Sequence, residues 1–169
     1  NPQTTEAEYL QVIHAKTAKL FEAAAQLGAV ISEQSGGYVQ AMARYGMHLG
    51  AAFQLIDDVL DYSANAKELG KNIGDDLAEG KPTLPLIYAL KQGTPAQQKI
   101  LQEGITQNGQ FHQAIQQRDK EFVEQFIQQV VTIIESTGAI KYVKDAAQKE
   151  AEKAIAALTE LPTSSYTNA

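Results

Sequence analysis

The sequence predicts an all-α protein built as a helical bundle, and three observations lead to this prediction. Apolar residues recur at alternating spacings of three and four along most of the chain, which is the period of an amphipathic helix. Valine and isoleucine follow the same spacing, so no strand is predicted. Short polar segments with glycine or proline separate the periodic stretches. With 169 residues, the chain has the size of one ordinary domain. We therefore predict one domain over residues 1–162, ended by Pro162, and a disordered tail over residues 163–169.

A first helix is predicted from residue 10 to residue 27, ending near Gly28. Its apolar row consists of Leu10, Ile13, Thr17, Leu20, Ala24 and Leu27. Thr17 interrupts this row and Lys16 precedes it, so a hydroxyl and a cation lie at or beside the predicted buried face. The simpler alternative is a surface lysine next to a threonine that is bonded to its own backbone.

A second helix follows a polar link at residues 32–37. Its apolar row consists of Tyr38, Met42, Tyr45, Leu49, Ala52, Ile56 and Val59. Gly46 and Gly50 lie four residues apart and would let a neighbouring helix come close, although each weakens a helix by about 1 kcal/mol relative to alanine. We interpret both as packing residues.

The end of this helix carries an acidic motif of the form DDxxD within the apolar segment FQLIDDVLD, residues 53–61. At about 100° per residue, four polar side chains share one arc of the helix. They are Gln54, Asp57, Asp58 and Asp61. Neighbouring carboxylates repel one another, and Mg²⁺, which prefers oxygen ligands, would relieve the repulsion. The motif therefore predicts a magnesium site, with a solvated acidic face as the alternative.

Residues 63–81 lose the helical period and predict a long loop rich in glycine and charge. The loop carries Lys67, Lys71 and Lys81, with Asp75 and Asp76 between the last two lysines. Phosphate oxygens can bridge a metal ion and an ammonium group. A basic loop directly after the acidic motif therefore predicts a diphosphate site, whereas the alternative is a mobile loop whose lysines face water.

The rest of the chain predicts further helices. One runs over Thr83–Gln92 and is closed by Gly93, and a capping box over Thr94–Gln97 starts the next. The glutamine-rich segment 97–129 is interpreted as two helices broken near Asn108-Gly109. An apolar stripe over residues 122–134 ends before Gly138, and a last helix spans residues 139–158.

Composition excludes several classes of protein. A net charge of −6 argues against general nucleic-acid binding, and the absence of cysteine excludes disulfides and thiolate metal sites. No apolar run approaches the roughly 20 residues of a membrane-spanning helix, so a cytoplasmic protein is the default expectation. Di-iron bundles use Glu-x-x-His pairs. Here the residues three before His14, His48 and His112 are Gln11, Tyr45 and Gly109.

Three motifs that follow one another in the chain are together specific enough to indicate a family. They are Lys16-Thr17, the segment GAAFQLIDDVLD at residues 50–61, and GKNIGDDLAEGKPTLP at residues 70–85. Over residues 9 to about 92 the chain resembles the second half of the all-trans polyprenyl diphosphate synthases. The resemblance implies a partial, C-terminal-half version of the all-α isoprenoid-synthase bundle. It also implies a homodimer that uses Mg²⁺ to condense isopentenyl diphosphate with an allylic diphosphate.

The resemblance also implies roles for particular residues. The second aspartate-rich motif of the family falls on Asp57, Asp58 and Asp61, and Asp57 is the expected direct metal ligand. The lysines that hold the allylic diphosphate fall on Lys16, Lys71 and Lys81. The residues beside the reacting carbons fall on Thr17 and Gln54.

The chain also departs from the family. An earlier aspartate-rich motif and the upstream residues that bind isopentenyl diphosphate are absent, and the segment 163–169 stands in place of the last family helix. We therefore expect a C-terminal portion of a synthase that is inactive alone. The alternatives are a non-catalytic subunit of a heteromeric synthase and an unrelated metal-binding bundle.

Overall fold

The computed structural model of the chain describes residues 3–63, 74–106 and 109–162, and within these ranges it contains helices and no strand. The all-α prediction is confirmed. The elements are α1 (Glu6–Ile13), a π-helical turn (His14–Ala18), α2 (Lys19–Ile31), α3 (Gly36–Leu60), α4 (Asp75–Ala78), α5 (Leu84–Gln92), α6 (Pro95–Ile105), α7 (Gln110–Gln117), α8 (Lys120–Ser136) and α9 (Ala139–Leu158). The predicted tail, residues 163–169, lies outside the described residues.

The π-helical turn changes which side of α2 is buried. An i→i+5 turn holds one more residue than an α-helical turn and so rotates everything after it by about one residue. Ala18 is fully buried, whereas Leu20 and Leu27 of the predicted apolar row are 72% and 56% exposed. The predicted row was therefore wrong after Ile13, because the periodicity assumed a regular α-helix through the Lys16-Thr17 pair.

Helix α2 continues to Ile31, beyond its predicted end near Gly28, and the long helix α3 begins at Gly36, inside the predicted polar link at residues 32–37. The predicted apolar row of α3 was partly wrong. Ala52 and Val59 are buried, but Leu49 and Ile56 are 37% and 40% exposed. The buried face of α3 is therefore rotated away from the row that the sequence predicts.

The later helices begin and end close to the predicted positions. Thr94 and Gln97 form the predicted capping box at the start of α6. Two features were missed: the one-turn helix α4 inside the predicted loop, and a break between α7 and α8. At that break Arg118 adopts a left-handed conformation with φ 61°, and the side chain of Asp119 accepts a hydrogen bond from the N–H of Phe122 to start α8.

The chain divides into two compact units, formed by residues 1–9 with 57–144 and by residues 10–56 with 145–169. In the first unit, α5 to α8 enclose an apolar core that contains Leu86, Leu101, Phe111, Val130 and Ile134. The prediction of a single domain over residues 1–162 stays a prediction. Among the described residues, no helix combines the length and apolar character needed to cross a bilayer.

The second unit is built on the N-terminal part of α3. The π-helical turn and α2 pack closely against it at Gly46 and Gly50. Helix α9 is tied to α3 by a hydrogen bond between His48 Nδ1 and Glu150 Oε2 at 2.7 Å, and Arg44 forms an ion pair with Glu160 at 2.5 Å. Charged contacts therefore accompany apolar packing in this unit.

Candidate functional site

The three aspartates of the DDxxD motif lie at the C-terminal end of α3, in the first unit, and they differ in exposure. Asp58 is 0% exposed and Asp61 is 4% exposed, whereas Asp57 is only partly buried. A buried carboxylate is costly unless it is paired or hydrogen-bonded. A solvated acidic face, the alternative left open by the sequence, is therefore wrong for Asp58 and Asp61.

Asp58 is bound by a tyrosine that the sequence analysis did not single out. The hydroxyl of Tyr9 donates a hydrogen bond to Oδ2 of Asp58 at 2.5 Å, and Tyr9 itself is 4% exposed. Burial, and then the negative charge of Asp58, raise the pKa of the Tyr9 hydroxyl well above its ordinary value near 10. Tyr9 therefore remains a hydrogen-bond donor.

Lys81 lies near the other carboxylate oxygen of Asp58. Its Nζ donates to Oδ1 of Asp76 at 2.9 Å and lies 3.7 Å from Oδ1 of Asp58. Burial opposes the charge on Lys81, but Asp76 and Asp58 outweigh it and raise the pKa of the lysine. Lys81 is therefore a fixed cation held by two carboxylates, and 36% of its side chain remains exposed.

Asp61 anchors the segment that leads into α4. Its side chain accepts a hydrogen bond from the backbone N–H of Asp76 at 3.2 Å, and its backbone carbonyl accepts one from Gly74 at 2.9 Å. Gly74 has φ 83°, a left-handed conformation that favours glycine. The buried aspartates thus hold residues 74–81 against the end of α3. We call Tyr9, Asp57, Asp58, Asp61, Asp76 and Lys81 the acidic cluster.

The lysine–threonine pair lies in the second unit, on the π-helical turn. The hydroxyl of Thr17 donates to Oε1 of Gln54 on α3 at 2.9 Å, and Lys16 is exposed. π-helical turns inside α-helices are frequent at functional sites. The structure therefore brings together two of the residues that the sequence predicted to share a site, Thr17 and Gln54.

The carboxylates of the described residues do not form a complete metal site by themselves. Within residues 3–63, 74–106 and 109–162, no three His, Asp or Glu side chains are grouped to hold one ion. Mg²⁺ is commonly held by only one or two carboxylates, together with waters and substrate phosphates. Asp57 fits such a role because it is partly exposed, whereas Asp58 is enclosed and engaged by Tyr9.

The site residues predicted from the sequence are not the same set as the site residues that the structure describes. Lys67 and Lys71 of the predicted basic loop lie outside the described residues. Tyr9 and the role of Asp76 were missed, because no motif spacing links a tyrosine on α1 to an aspartate 49 residues later. The available signal was Tyr9 itself, a residue with an apolar body and a polar tip directly before the predicted first helix.

The helical architecture is that of the all-α isoprenyl diphosphate synthase fold. A solved polyprenyl synthase from Caulobacter crescentus, crystallised with calcium and isoprenyl diphosphate, superposes with a TM-score of 0.87 at 36% identity. That match covers 99% of this chain and 47% of the other. The polyprenyl synthetase family model matches residues 1–122, and the chain belongs to this family.

Curated relatives support the same family assignment. The octaprenyl diphosphate synthase of Haemophilus influenzae is 43% identical over 169 residues, covering 100% of this chain and 47% of that protein. The Escherichia coli octaprenyl diphosphate synthase is 42% identical over 162 residues, covering 96% and 46%. The chain therefore spans about half the length of the curated relatives it matches. The resemblance to the all-trans polyprenyl diphosphate synthases, predicted over residues 9 to about 92, is confirmed and extends to bacterial octaprenyl diphosphate synthases. An unrelated metal-binding bundle is ruled out.

Proposed function

We propose that this chain carries the second aspartate-rich part of a trans-prenyltransferase that condenses isopentenyl diphosphate with an allylic diphosphate in isoprenoid biosynthesis. The observation that carries the proposal is Lys81, a cation held by Asp58 and Asp76 beside a helix that also presents Asp57. A fixed ammonium next to a carboxylate suits a metal-bound diphosphate better than either charge alone. Membership of the polyprenyl synthetase family supports the same assignment.

The proposed roles follow the chemistry of each group. Mg²⁺, when bound, would neutralise the leaving diphosphate. Asp57 would hold the metal, with Asp58 and Asp61 supporting the motif from within the protein. Lys16, Lys71 and Lys81 would hold the diphosphate oxygens. The oxygens of Thr17 and Gln54 would lie beside the reacting carbons and stabilise positive charge there. That the Caulobacter relative was crystallised with a divalent cation and isoprenyl diphosphate supports this scheme.

Further proposals concern the protein as a whole. We expect a homodimer, as the family resemblance implies, and a cytoplasmic location as the default expectation from the sequence. We also expect the 169-residue chain alone not to elongate prenyl diphosphates, because its sequence carries one DDxxD motif and the allylic leaving group needs to be held from both sides. Incorporation of radiolabelled isopentenyl diphosphate into long products by the purified chain would contradict this expectation. A non-catalytic subunit would share the same motifs, and complementation of its activity by a partner subunit would distinguish it.

The test of the proposed site is a calorimetric titration of inorganic diphosphate with and without Mg²⁺. We expect diphosphate to bind more tightly with Mg²⁺, because Mg²⁺ releases its waters reluctantly and needs the phosphate oxygens to complete its shell. Asp57→Asn and Lys71→Ala should each weaken this binding. Glu152→Gln and Lys99→Ala, exposed residues of the same charge elsewhere, serve as controls. Equal diphosphate affinity with and without Mg²⁺ in the folded wild-type chain would refute the proposal.

A further inference from the structure

Tyr9 lies on α1 and belongs to none of the sequence motifs, yet its hydroxyl is hydrogen-bonded to Asp58 of the acidic motif. The side chain is 4% exposed, and a buried tyrosine hydroxyl needs a polar partner. Asp58 is 0% exposed and equally needs donors. The 2.5 Å hydrogen bond from Tyr9 to Oδ2 of Asp58 meets both needs at once. The orientation of the Asp58 carboxylate therefore depends on Tyr9.

The other oxygen of Asp58 connects this bond to Lys81. Oδ1 lies 3.7 Å from Nζ of Lys81, which is an ion-pair distance outside hydrogen-bond range. Nζ also donates to Asp76 at 2.9 Å. Two carboxylates thus define where the ammonium lies, and a rotation of the Asp58 carboxylate would remove one of them. The bond from Tyr9 opposes that rotation.

The exposures of these groups separate their roles. Asp58 is fully enclosed, so it cannot contact a ligand without a rearrangement of the protein. Lys81 retains 36% of its side-chain exposure and can be approached by an anion. Asp58 therefore acts on a ligand through Lys81, and Tyr9 acts through Asp58.

We propose that Tyr9 is a positioning residue: its hydroxyl fixes Asp58, and Asp58 together with Asp76 holds the Lys81 ammonium where a magnesium-bound diphosphate meets it. This inference rests on the proposed function, because diphosphate is the ligand assigned there to Lys81. It adds a residue that no motif contains, and it gives the second aspartate of the DDxxD motif a task other than metal ligation.

The test is Tyr9→Phe, which removes the hydroxyl and keeps the ring. With Mg²⁺ present, the affinity for inorganic diphosphate should fall about tenfold, as expected when a hydrogen bond to a charged group is lost. The matched control is Tyr142→Phe. The Tyr142 hydroxyl also donates a hydrogen bond to a carboxylate of the same unit, that of Glu6, at 2.8 Å. That hydrogen bond does not involve Lys81. Its removal should leave diphosphate affinity unchanged.

Two further readouts separate positioning from mere stability. The losses from Tyr9→Phe and Lys81→Met should be non-additive in a double-mutant cycle, since both act through one ammonium. The ¹H–¹⁵N signal of the Lys81 ammonium, identified as the one missing from Lys81→Arg, should shift in Tyr9→Phe and stay unchanged in Tyr142→Phe.

The outcomes are distinguishable. If Tyr9→Phe lowers only the melting temperature, with diphosphate affinity and the Lys81 signal unchanged, Tyr9 is a structural residue and the inference is overturned. If the wild-type chain shows no magnesium-dependent diphosphate binding, the proposed function fails. In that case the ammonium signal still decides whether Tyr9 places Lys81, and an unchanged signal refutes it.

Discussion

The hydroxyl of Thr17 donates to the side-chain oxygen of Gln54 across 2.9 Å, and this bond lies one helical turn from a contact that only glycine permits. A Cβ built on Gly50 would lie 2.7 Å from Cα of Ala18, the residue after Thr17. Because real Cβ contacts do not reach that distance to backbone, Gly50 sets how closely α3 approaches the π-helical turn. The distance between the side chains of Thr17 and Gln54 therefore depends on Gly50.

We predict that Gly50→Ala destabilises the protein by about 1–3 kcal/mol, the range for overpacking a close contact. Displacement of α3 should also lengthen the bond between Thr17 and Gln54. The measurement is urea unfolding, with the side-chain amide signals of Gln54 in a ¹H–¹⁵N spectrum reporting the local change.

The control for this substitution is Gly28→Ala. Gly28 lies within α2, and a Cβ there would meet nothing within 4 Å. Alanine should therefore stabilise the helix by about 0.5–1 kcal/mol. A Gly50→Ala protein that is as stable as the wild type, with unchanged Gln54 signals, would show that α3 does not depend on this glycine.

The second prediction concerns an exposed apolar face on α2. Leu20, Leu27, Val30 and Ile31 are 72%, 56%, 52% and 72% exposed. Contiguous apolar surface drives association and dye binding. The 169-residue chain should therefore bind a hydrophobic dye and sediment in a concentration-dependent manner, and Leu20→Gln with Ile31→Gln should reduce both. Ala23→Gln, at an exposed small residue of the same helix, is the control. A monodisperse monomer without dye binding would contradict this prediction.

The third prediction concerns acid stability through Glu150, which pairs with His48 and Lys153. Burial opposes the charge of Glu150, but hydrogen bonds from Lys153 and His48 outweigh it and lower the pKa below its ordinary value near 4.5. A folded-state pKa below the unfolded value means that the carboxylate stabilises the fold above the unfolded pKa. This contribution is lost as the pH falls through the folded pKa.

Glu150→Gln should therefore lower the melting temperature near pH 7, and its difference from wild type should shrink as the pH falls below about 4.5. Thermal unfolding followed by circular dichroism across this pH range measures the effect. Glu152→Gln, an exposed glutamate on the same helix, should show no such convergence. A constant difference at every pH would mean that the loss comes from packing and not from the charge.

Much of the fold was predictable because helix signals are local. The link after α2, the capping box at Thr94 and the start of α5 after Thr83 depend on residues a few positions apart, which the sequence shows directly. The acidic motif and the Lys16-Thr17 pair were predictable for the same reason, since each is a short run of adjacent or helically spaced residues. By itself, then, the sequence determined the fold class, the family and the positions that carry charge.

Only the tertiary structure decided how those charges are used. The π-helical turn rotates α2 by about one residue, and no periodicity reveals it, because the backbone bonding pattern depends on what the helix packs against. The contact between Tyr9 and Asp58 joins residues 49 positions apart, and the carboxylates of one motif become unequal through burial. Periodicity places Asp57, Asp58 and Asp61 in one arc, whereas packing leaves Asp57 partly exposed and encloses the other two, since burial is a property of the neighbours that surround a helix.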